Sequence, residues 1–245
     1  DNLYTNSVVA LHADTGKLKW HFQFTPHDVH DWDATQVPVL LNLNFGGVPR
    51  KLLVEANRNG FFYVLDRTNG EFLLAQKFAH VTWAKGINAD GRPILLPDTA
   101  PTAEGNYVCP GAWGGTNWMS PSFSPQTGLF YVAAREQCDV FTSVEPTYKE
   151  GAGFFGSTAN PPPKQQEKDW GALRAIDPMK GEIKWEFKLY SAPFGGVLST
   201  AGGKLRWVNP LTAPPQARKN GAVVTVTVDG AGICSLDTAP GDMIH

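Results

Sequence analysis

The sequence lacks an excess of charge of either sign, a basic stripe and a long apolar run. It has 245 residues, with 21 Lys and Arg against 23 Asp and Glu and a formal net charge of -2 at pH 7. A surface without clustered positive charge does not favour binding to nucleic acid or to an acidic membrane surface. No apolar stretch approaches the length of a transmembrane helix, so no membrane span is expected.

An initiator methionine and a secretory leader are also missing. The chain opens at Asp1 in what already has the pattern of a strand, which suggests a piece of a longer protein. Cysteine is scarce, with three residues, whereas glycine (25), proline (19) and tryptophan (8) are plentiful. This composition is typical of a β-rich globular chain, and the length allows a substantial core.

A hairpin pattern recurs along the chain. An apolar strand, a turn with Asp and Gly, and a second strand occupy residues 9–20, 64–72 and 175–185, and a shorter version occupies 125–132. The turn glycines at positions 16, 70, 128 and 181 are 54, 58 and 53 residues apart. A period near 50 residues made of short strands predicts the blades of a β-propeller.

Trp20 and Trp185 stand at equivalent places in two of these repeats. An aromatic ligand could stack on such residues, but a residue that recurs with a repeat usually serves the repeat. We therefore expect each tryptophan to fill the space between adjacent blades, with its N–H donating to a backbone carbonyl.

The densest cluster of ionisable side chains lies at residues 27–33, where three aspartates and two histidines occur within seven positions. Repulsion among Asp28, Asp31 and Asp33 would raise their pKa values or recruit a metal ion. An acidic surface turn is the structural alternative. His27 and His30 have no third ligand in register, so we expect hydrogen-bonding turn residues rather than a transition-metal site.

Four motifs follow one another along the chain. They are Thr-Pro-His-Asp with Asp-Trp-Asp-Ala (residues 25–34), Asn-Arg-Asn-Gly leading into Tyr-Val-Leu-Asp-Arg (57–67), Cys-Pro-Gly-Ala-Trp-Gly-Gly-Thr-Asn-Trp (109–118), and Gly-Gly-Val-Leu-Ser-Thr-Ala-Gly-Gly (195–203). Together they resemble the pyrroloquinoline-quinone (PQQ) dehydrogenases of the methanol and ethanol type. The resemblance covers residues 1 to about 203. It implies an all-β fold of about four four-stranded blades from an eight-bladed propeller.

The resemblance also implies a reaction, the oxidation of primary alcohols to aldehydes by hydride transfer to PQQ. Asp31 matches the family's catalytic base, beside the quinone and a Ca²⁺ or lanthanide ion. Asp33 resembles the additional carboxylate of the lanthanide-type enzymes, because a trivalent ion prefers more anionic oxygen ligands. Glucose-oxidising relatives show a similar Asp-aromatic-Asp pattern, so the ion stays open between calcium and a lanthanide.

Three further residues match cofactor-contacting positions of the family. Arg58 resembles the Lys or Arg that hydrogen-bonds the quinone oxygens, although a solvated arginine in a hairpin turn is the structural alternative. Asn117 resembles a cofactor-contacting Asn, with Trp118 beside it as a further candidate. The glycines at 111–115 are expected to let the backbone approach a planar ligand closely.

The family also implies a disulfide, since Cys109 and Cys138 match a bonded pair of the alcohol-type enzymes; two buried free thiols are the structural alternative. A disulfide agrees with the periplasmic location of the family. Its presence favours the alcohol branch over a sugar-oxidising quinoprotein. Cytochrome c is the electron acceptor that the family implies, and a homodimer is a further expectation.

Residues 204–245 do not continue the resemblance and are predicted to be a separate, irregular or non-native tail with one strand at 224–228. A polar loop is expected at 160–169. Family residues upstream of this chain hold most of the metal and stack on the quinone, so the chain alone is expected to be inactive. A non-catalytic propeller scaffold of the outer-membrane assembly type is the third alternative, and the combination of Asp31, Arg58 and Asn117 argues against it.

Overall fold

A computed structural model of the chain describes residues 1–162, 169–201, 204–208, 223–228 and 234–237. These residues form strands and loops without any helix, so none of them lies in a helix that could cross a membrane. In chain order the strands are β1 (Ser7–Leu11), β2 (Leu18–Gln23), β3 (Val39–Phe45), β4 (Val48–Ala56), β5 (Phe61–Asp66), β6 (Phe72–Lys77), β7 (Ala84–Ile87), β8 (Pro93–Leu95), β9 (Asn106–Val108), β10 (Ser122–Ser124), β11 (Leu129–Glu136), β12 (Asp139–Ser143), β13 (Ser157–Asn160), β14 (Trp170–Ile176), β15 (Ile183–Leu189), β16 (Val197–Ser199), β17 (Lys204–Val208), β18 (Val223–Val228) and β19 (Cys234–Asp237).

Three antiparallel sheets of four strands dominate the fold. Their orders are β3-β4-β5-β6, β10-β11-β14-β15 and β16-β17-β18-β19. The β1–β2 hairpin carries the first copy of the repeated turn, so the described residues contain three four-stranded blades and one hairpin of a fourth. Two smaller sheets, β7-β8 and β13-β12-β9, are inserted between blades or within one.

Alternation along the strands gives each blade two apolar faces. In β5, Phe62 and Val64 pack with Phe130 and Val132 of β11, whereas Phe61, Tyr63 and Leu65 face the opposite way, toward a cluster that includes Phe22 and Phe24. The other face of β11 joins a third cluster with β14 and the last sheet. Because successive residues of a strand point to opposite faces, fully buried strands of this kind stack sheet on sheet as propeller blades do.

The repeated turns need glycine, and one of them also shows why the tryptophan recurs. Gly16, Gly70, Gly128 and Gly181 all have positive φ angles, between 66° and 80°. The ring of Trp20 lies against Gly70, where an added Cβ would be 2.8 Å from Cε3. The Trp20 indole N–H donates to the carbonyl of Arg67 at 3.2 Å. Trp20 thus fills the space between adjacent blades, as predicted. Trp185 differs, because its indole N–H is buried without a hydrogen-bond partner among the described residues, so the predicted donation is not observed there.

The meandering order of the strands separates two kinds of connection. The repeated turns lie at one end of the sheets, because every second connection of an antiparallel meander returns to the same end. The β2–β3 link, the β4–β5 turn, the long β6–β10 link and the β11–β14 link lie at the opposite end. We call this opposite end the loop end. Backbone hydrogen bonds from Gly115 N to Arg58 O (2.9 Å) and from Arg135 N to Gly115 O (2.7 Å) join these connections.

The segment after residue 203 contains the predicted strand, observed as β18, together with β17 and β19. β17 pairs with β16 and β18, and β18 pairs with β19. These strands complete the last four-stranded sheet, which the sequence pattern did not predict. The domain boundary at residue 203 stays a prediction, and most of the polar loop at 160–169 lies outside the described residues.

Candidate active site

Asp28 organises the acidic segment at the loop end. Its two carboxylate oxygens accept hydrogen bonds from the backbone N–H groups of His30 (2.9 Å) and Trp32 (2.6 Å) and from the side-chain amide of Asn6 (2.7 Å). A carboxylate that accepts several N–H bonds is held in one orientation. Asp28 therefore shapes the segment, and its partner Asn6 lies 22 residues away in sequence.

His30 and Trp32 fix the same segment to the protein interior. His30 is buried, donates from Nε2 to the carbonyl of Thr99 (2.6 Å) and stacks on the ring of Trp32 with centroids 4.3 Å apart. Burial lowers the pKa of His30, which agrees with a neutral, hydrogen-bonding imidazole. The Trp32 indole donates to the carbonyl of Gly111 at 3.0 Å. The expectation of a hydrogen-bonding turn histidine agrees with these contacts for His30.

Asp31 and Arg58 meet at the loop end. The distance from Asp31 Oδ2 to Arg58 Nη2 is 3.7 Å, and the Asp31 side chain is 77% exposed while that of Arg58 is 9% exposed. Asp31 has a left-handed backbone conformation, with φ at 64°. Partial desolvation raises the pKa of Asp31, Arg58 counteracts this, and Asp33 and Asp28 raise the pKa further. Desolvation lowers the pKa of Arg58, and the same three carboxylates oppose it.

Arg58 lies in the β4–β5 turn and is not the solvated arginine of the structural alternative. Its Nη2 donates to the carbonyl of Ala112, and its backbone N–H donates to the side-chain oxygen of Gln36 at 3.3 Å. Its Nε is buried and has no hydrogen-bond partner among the described residues. A buried guanidinium with an unused donor beside an exposed carboxylate fits the binding of a polar, anionic group.

The glycine-rich segment at 111–115 contacts protein rather than open space. An added Cβ on Gly114 would lie 2.7 Å from the Arg58 carbonyl oxygen, and one on Gly115 would lie 3.2 Å from the Gly60 Cα. These glycines therefore allow two connections of the loop end to touch. The close approach to the backbone of the Arg58 turn is observed, and the expected approach to a planar ligand stays a prediction.

Asn117 and Trp118 follow this segment. Asn117 is buried, its amide nitrogen donates to the carbonyl of Trp113 (3.0 Å), and its oxygen accepts from the backbone N–H of Trp118 (2.9 Å). Within the described part of the chain, these two bonds leave one amide hydrogen and one lone pair of Asn117 for another partner. Trp118 is 60% exposed. The structure thus brings Asp31 to Arg58, and ties Asn117 to them only through the backbone contacts of residues 111–115.

The predicted disulfide is present. Cys109 and Cys138 are bonded, with Cα atoms 4.5 Å apart, and the two residues are 29 positions apart in sequence. Beside the bridge, Gly111 N donates to Gln137 O (2.7 Å) and Ala112 N donates to the carboxylate of Asp139 (2.8 Å). The bridge and these two bonds hold the segment whose Ala112 carbonyl binds Arg58.

An open cleft of about 750 Å³ runs along the acidic segment. Asp28, Asp31 and Asp33 line one side of it, and Phe141, Phe154 and Phe155 are among its apolar residues. This volume is in the range of small-molecule sites. In the part of the chain that the structure describes, neither Asp31 nor Asp33 belongs to a group of three His, Cys, Asp or Glu residues with ligand atoms within 4.8 Å. Asp31 and Asp33 are the exposed carboxylates among the residues that line the cleft, and two carboxylates are fewer than the six or more oxygen ligands of a calcium site.

Sequence reasoning missed Glu55, a buried carboxyl two positions before Asn57. Glu55 is 2% exposed and accepts a hydrogen bond from the Asn57 side chain at 2.8 Å. Its burial raises its pKa to about 8. The Asn57 oxygen in turn accepts the backbone N–H of Asn59 at 3.1 Å. Only the position of Glu55 directly after the apolar residues 52–54 could have indicated this buried network, which lies next to Arg58 in sequence.

Comparison with known families agrees with the resemblance. Residues 1–82 and 85–245 match the family described as "PQQ: Glucose/ethanol/alcohol dehydrogenase, beta-propeller domain". The match includes residues 204–245. The chain belongs to this family of PQQ dehydrogenase propellers.

Two curated relatives illustrate the match. The chain is 42% identical over 210 residues to the quinoprotein alcohol dehydrogenase PedH of Pseudomonas putida, covering 82% of this chain and 35% of that protein. It is 37% identical over 208 residues to the lanthanide-dependent methanol dehydrogenase of Methylacidiphilum fumariolicum, covering 83% of this chain and 34% of that protein. The chain spans about a third of the length of these relatives.

Solved structures show the same fold. The quinohemoprotein alcohol dehydrogenase from Comamonas testosteroni superposes with a TM-score of 0.84 at 33% identity, over 97% of this chain and 36% of that one. A europium-containing methanol dehydrogenase gives a TM-score of 0.82 at 32% identity, over 96% of this chain and 40% of that one. The predicted all-β, partial propeller is confirmed.

Proposed function

We propose that this chain is part of a PQQ-dependent alcohol dehydrogenase that oxidises primary alcohols to aldehydes. The observation that carries the proposal is the Asp31–Arg58 pair, 3.7 Å apart, in which Asp31 lines the cleft. The unused donor on Arg58 Nε and the two exposed carboxylates fit the quinone and its metal ion. When bound, PQQ with Ca²⁺ or a lanthanide supplies the hydride acceptor.

Asp31 would act as the general base. Its carboxylate is exposed to the cleft, so it can reach the hydroxyl hydrogen of a bound alcohol. Its pKa is raised by partial desolvation, which makes the ionised form a stronger base. Arg58 opposes this shift and so favours the ionised carboxylate, which is the form that accepts a proton. Asp31 and Asp33 would also be ligands of the metal ion.

Arg58 would stabilise negative charge on the bound cofactor. The guanidinium is buried and held by the Ala112 carbonyl, so it is positioned before any ligand arrives. Asn117 keeps one free amide hydrogen for a cofactor oxygen, and Trp118 exposes its ring as a further contact. Fixed donors of this kind need no reorganisation when charge develops.

The remaining parts of the proposal concern the whole enzyme. The disulfide agrees with a periplasmic location, and electrons would pass to cytochrome c. A homodimer stays a prediction. The chain spans about a third of its relatives and offers two cleft carboxylates to a metal ion. We therefore propose that it has no dehydrogenase turnover alone.

The test uses the full-length protein that contains this chain. It is assayed with PQQ, Ca²⁺ or La³⁺, and methanol, ethanol or glucose as substrates. Asp31→Asn should lower kcat by about 10²-fold or more, since it removes the base, whereas Asp14→Asn in the exposed β1–β2 turn should not. Preference for glucose would favour the sugar-oxidising alternative. No activity with any substrate after cofactor loading would favour the scaffold.

A further inference from the structure

His80 lies beside the disulfide at the loop end. One ligand atom each of His80, Cys109 and Cys138 lie within 4.8 Å of one another, the single such group of three among the described residues. While the two sulfurs are bonded to each other, neither is a thiolate ligand. We propose that reduction of the bridge turns this group into a binding site for Zn²⁺ or a similar thiolate-binding divalent ion.

Backbone contacts hold the two cysteines together without the bridge. Thr82 N donates to Cys109 O at 2.9 Å, and Cys109 N donates to the Thr82 hydroxyl at 2.8 Å. Gly111 N donates to Gln137 O at 2.7 Å, next to Cys138. These bonds do not depend on the S–S bond. After reduction the two thiols therefore stay close to each other and to His80.

His80 is held in the same way. Its backbone N–H donates to the carboxylate of Glu136 at 3.0 Å, and Glu136 is itself paired with the buried Arg174. The His80 side chain is not part of this bond, and the residue is exposed. An imidazole on a fixed backbone, open to solvent, can turn toward an incoming ion.

The ligand set and its spacing suit zinc. Zinc binds thiolate sulfur at about 2.3 Å and imidazole nitrogen at about 2.0–2.1 Å in tetrahedral sites. Two ligand atoms of one tetrahedral zinc ion thus lie about 3.6–3.8 Å apart. After reduction the two sulfurs are free to separate to that distance, and the imidazole nitrogen, already within 4.8 Å of them, needs to move only slightly closer. The exposed side of His80 leaves the fourth position to water.

The chemistry balances with a phosphine as the reductant. The phosphine gives two electrons to the S–S bond and takes oxygen from water, becoming the phosphine oxide. The two protons of that water complete the two thiols. Binding of Zn²⁺ then releases these two protons, because each cysteine binds as a thiolate, while His80 binds as the neutral imidazole.

The bound ion would restore the lost connection. Cys109 leads directly into the segment whose Ala112 carbonyl binds Arg58, and Cys138 precedes Asp139, which accepts the Ala112 N–H. A metal shared by Cys109, Cys138 and His80 would hold these two segments in place of the bridge. Zinc should therefore raise the unfolding temperature of the reduced chain and leave that of the oxidised chain unchanged.

The experiment uses this chain with Cys234→Ser, so that Cys109 and Cys138 are its only cysteines. The protein is reduced with a phosphine, freed of reductant without air and titrated with Co²⁺. We expect one ion per chain, with thiolate-to-cobalt absorption that Zn²⁺ displaces. The oxidised protein should show no such absorption. His80→Ala should weaken binding by about tenfold or more, while the exposed-histidine control His12→Ala should not.

Two results would overturn the proposal. One is a reduced protein that binds cobalt no more tightly than its His80→Ala variant. The other is equal binding by the oxidised protein. Circular dichroism of each variant before titration shows whether it is folded. Cys138→Ser provides a second test, because it removes a ligand and keeps His80, and it should abolish the thiolate absorption of a two-sulfur site.

Discussion

At the scale of single residues, the carboxyl groups near Arg58 have unequal surroundings. Glu55 is buried in β4 with a neutral amide as its hydrogen-bond donor, Asp28 is bound by three N–H groups, and Asp31 is exposed beside a cation. Burial without a cation favours the protonated form, whereas a nearby cation favours the ionised form. The three carboxyl groups therefore differ in role: Glu55 is a buried hydrogen-bond acceptor, Asp28 fixes the backbone of the acidic segment, and Asp31 is open to a ligand.

Glu55 should make the stability of the chain depend on pH. Its pKa is about 8 in the folded protein against 4.5 for the ordinary group, so the folded state binds more protons between these values. The free energy of unfolding therefore falls as pH rises through this interval, by roughly 3 kcal/mol between pH 4.5 and 7. Glu55→Gln keeps the oxygen that accepts from Asn57 and cannot ionise. Denaturant unfolding should show a much flatter pH dependence for this variant.

Glu104→Gln provides the control, because Glu104 is exposed in a loop. It should leave the pH dependence of the wild-type chain unchanged. If Glu55→Gln and the wild-type chain lose stability equally between pH 5 and 8, Glu55 is not the group that titrates.

Arg58 should control the titration of Asp31. Arg58 lowers the pKa of Asp31 against desolvation and against two neighbouring carboxylates, so Arg58→Leu should raise it. Carbon-13 NMR of the Asp31 carboxyl across a pH series measures the pKa directly. Arg58→Lys keeps the charge and should keep the pKa closer to that of the wild-type chain. Arg92→Leu, at an exposed arginine paired with Asp1, should leave it unchanged; an unaltered Asp31 in Arg58→Leu would refute the coupling.

At the scale of elements, the repeated hairpin joins each blade to the next through its turn. Trp20 of β2 lies on Gly70 in the β5–β6 turn of the following blade and donates to the carbonyl of Arg67. Gly16, in the β1–β2 turn, has a similar φ angle but nothing within 4 Å of an added Cβ. The two glycines therefore share a backbone conformation and differ in their contacts.

This difference gives a matched pair of variants. Both Gly70→Ala and Gly16→Ala place a side chain at positive φ, which costs each of them about 1 kcal/mol. Gly70→Ala also forces the new methyl group against the Trp20 ring, so it should cost about 1–3 kcal/mol more. Chemical unfolding of both variants measures the difference. Equal losses of stability would mean that the Trp20 contact adds nothing to the joint between blades.

The sequence predicted the elements that repeat and not the ones that do not. Turn glycines at a regular spacing indicate a hairpin that recurs. The blades and the position of Trp20 could therefore be predicted from local sequence patterns. The inserted strands β7–β9, β12 and β13 carry no such repeat. Asp28, and not Asp31, accepts the hydrogen bonds that hold the acidic segment. One of these bonds comes from Asn6, 22 residues away in sequence, and no local pattern predicts that contact. For the same reason the packing of the glycines at 111–115 on the Arg58 turn could not be predicted.

At the scale of the whole molecule, the candidate site residues lie in the connections at the loop end and not in the repeated hairpins. The β2–β3 link supplies Asp31 and Asp33, the β4–β5 turn supplies Arg58, and the β6–β10 link supplies Asn117. The disulfide and the contacts from Gly115 to Arg58 and Arg135 hold these connections against one another. The stacked blades thus act as the scaffold, and the described part of the site is assembled by loops that no single blade could position.

The last prediction concerns cofactor binding by this chain alone. The described residues supply two cleft carboxylates and one buried cation, and a hard metal ion requires six or more oxygen ligands. Equilibrium dialysis of the chain with PQQ and either Ca²⁺ or La³⁺ should therefore show weak uptake or none, with no stoichiometric complex. The double variant Asp31→Asn with Asp33→Asn measures the background; any weak La³⁺-dependent uptake should disappear in it. A tight complex of one PQQ per chain would contradict the proposal that residues outside this chain complete the site.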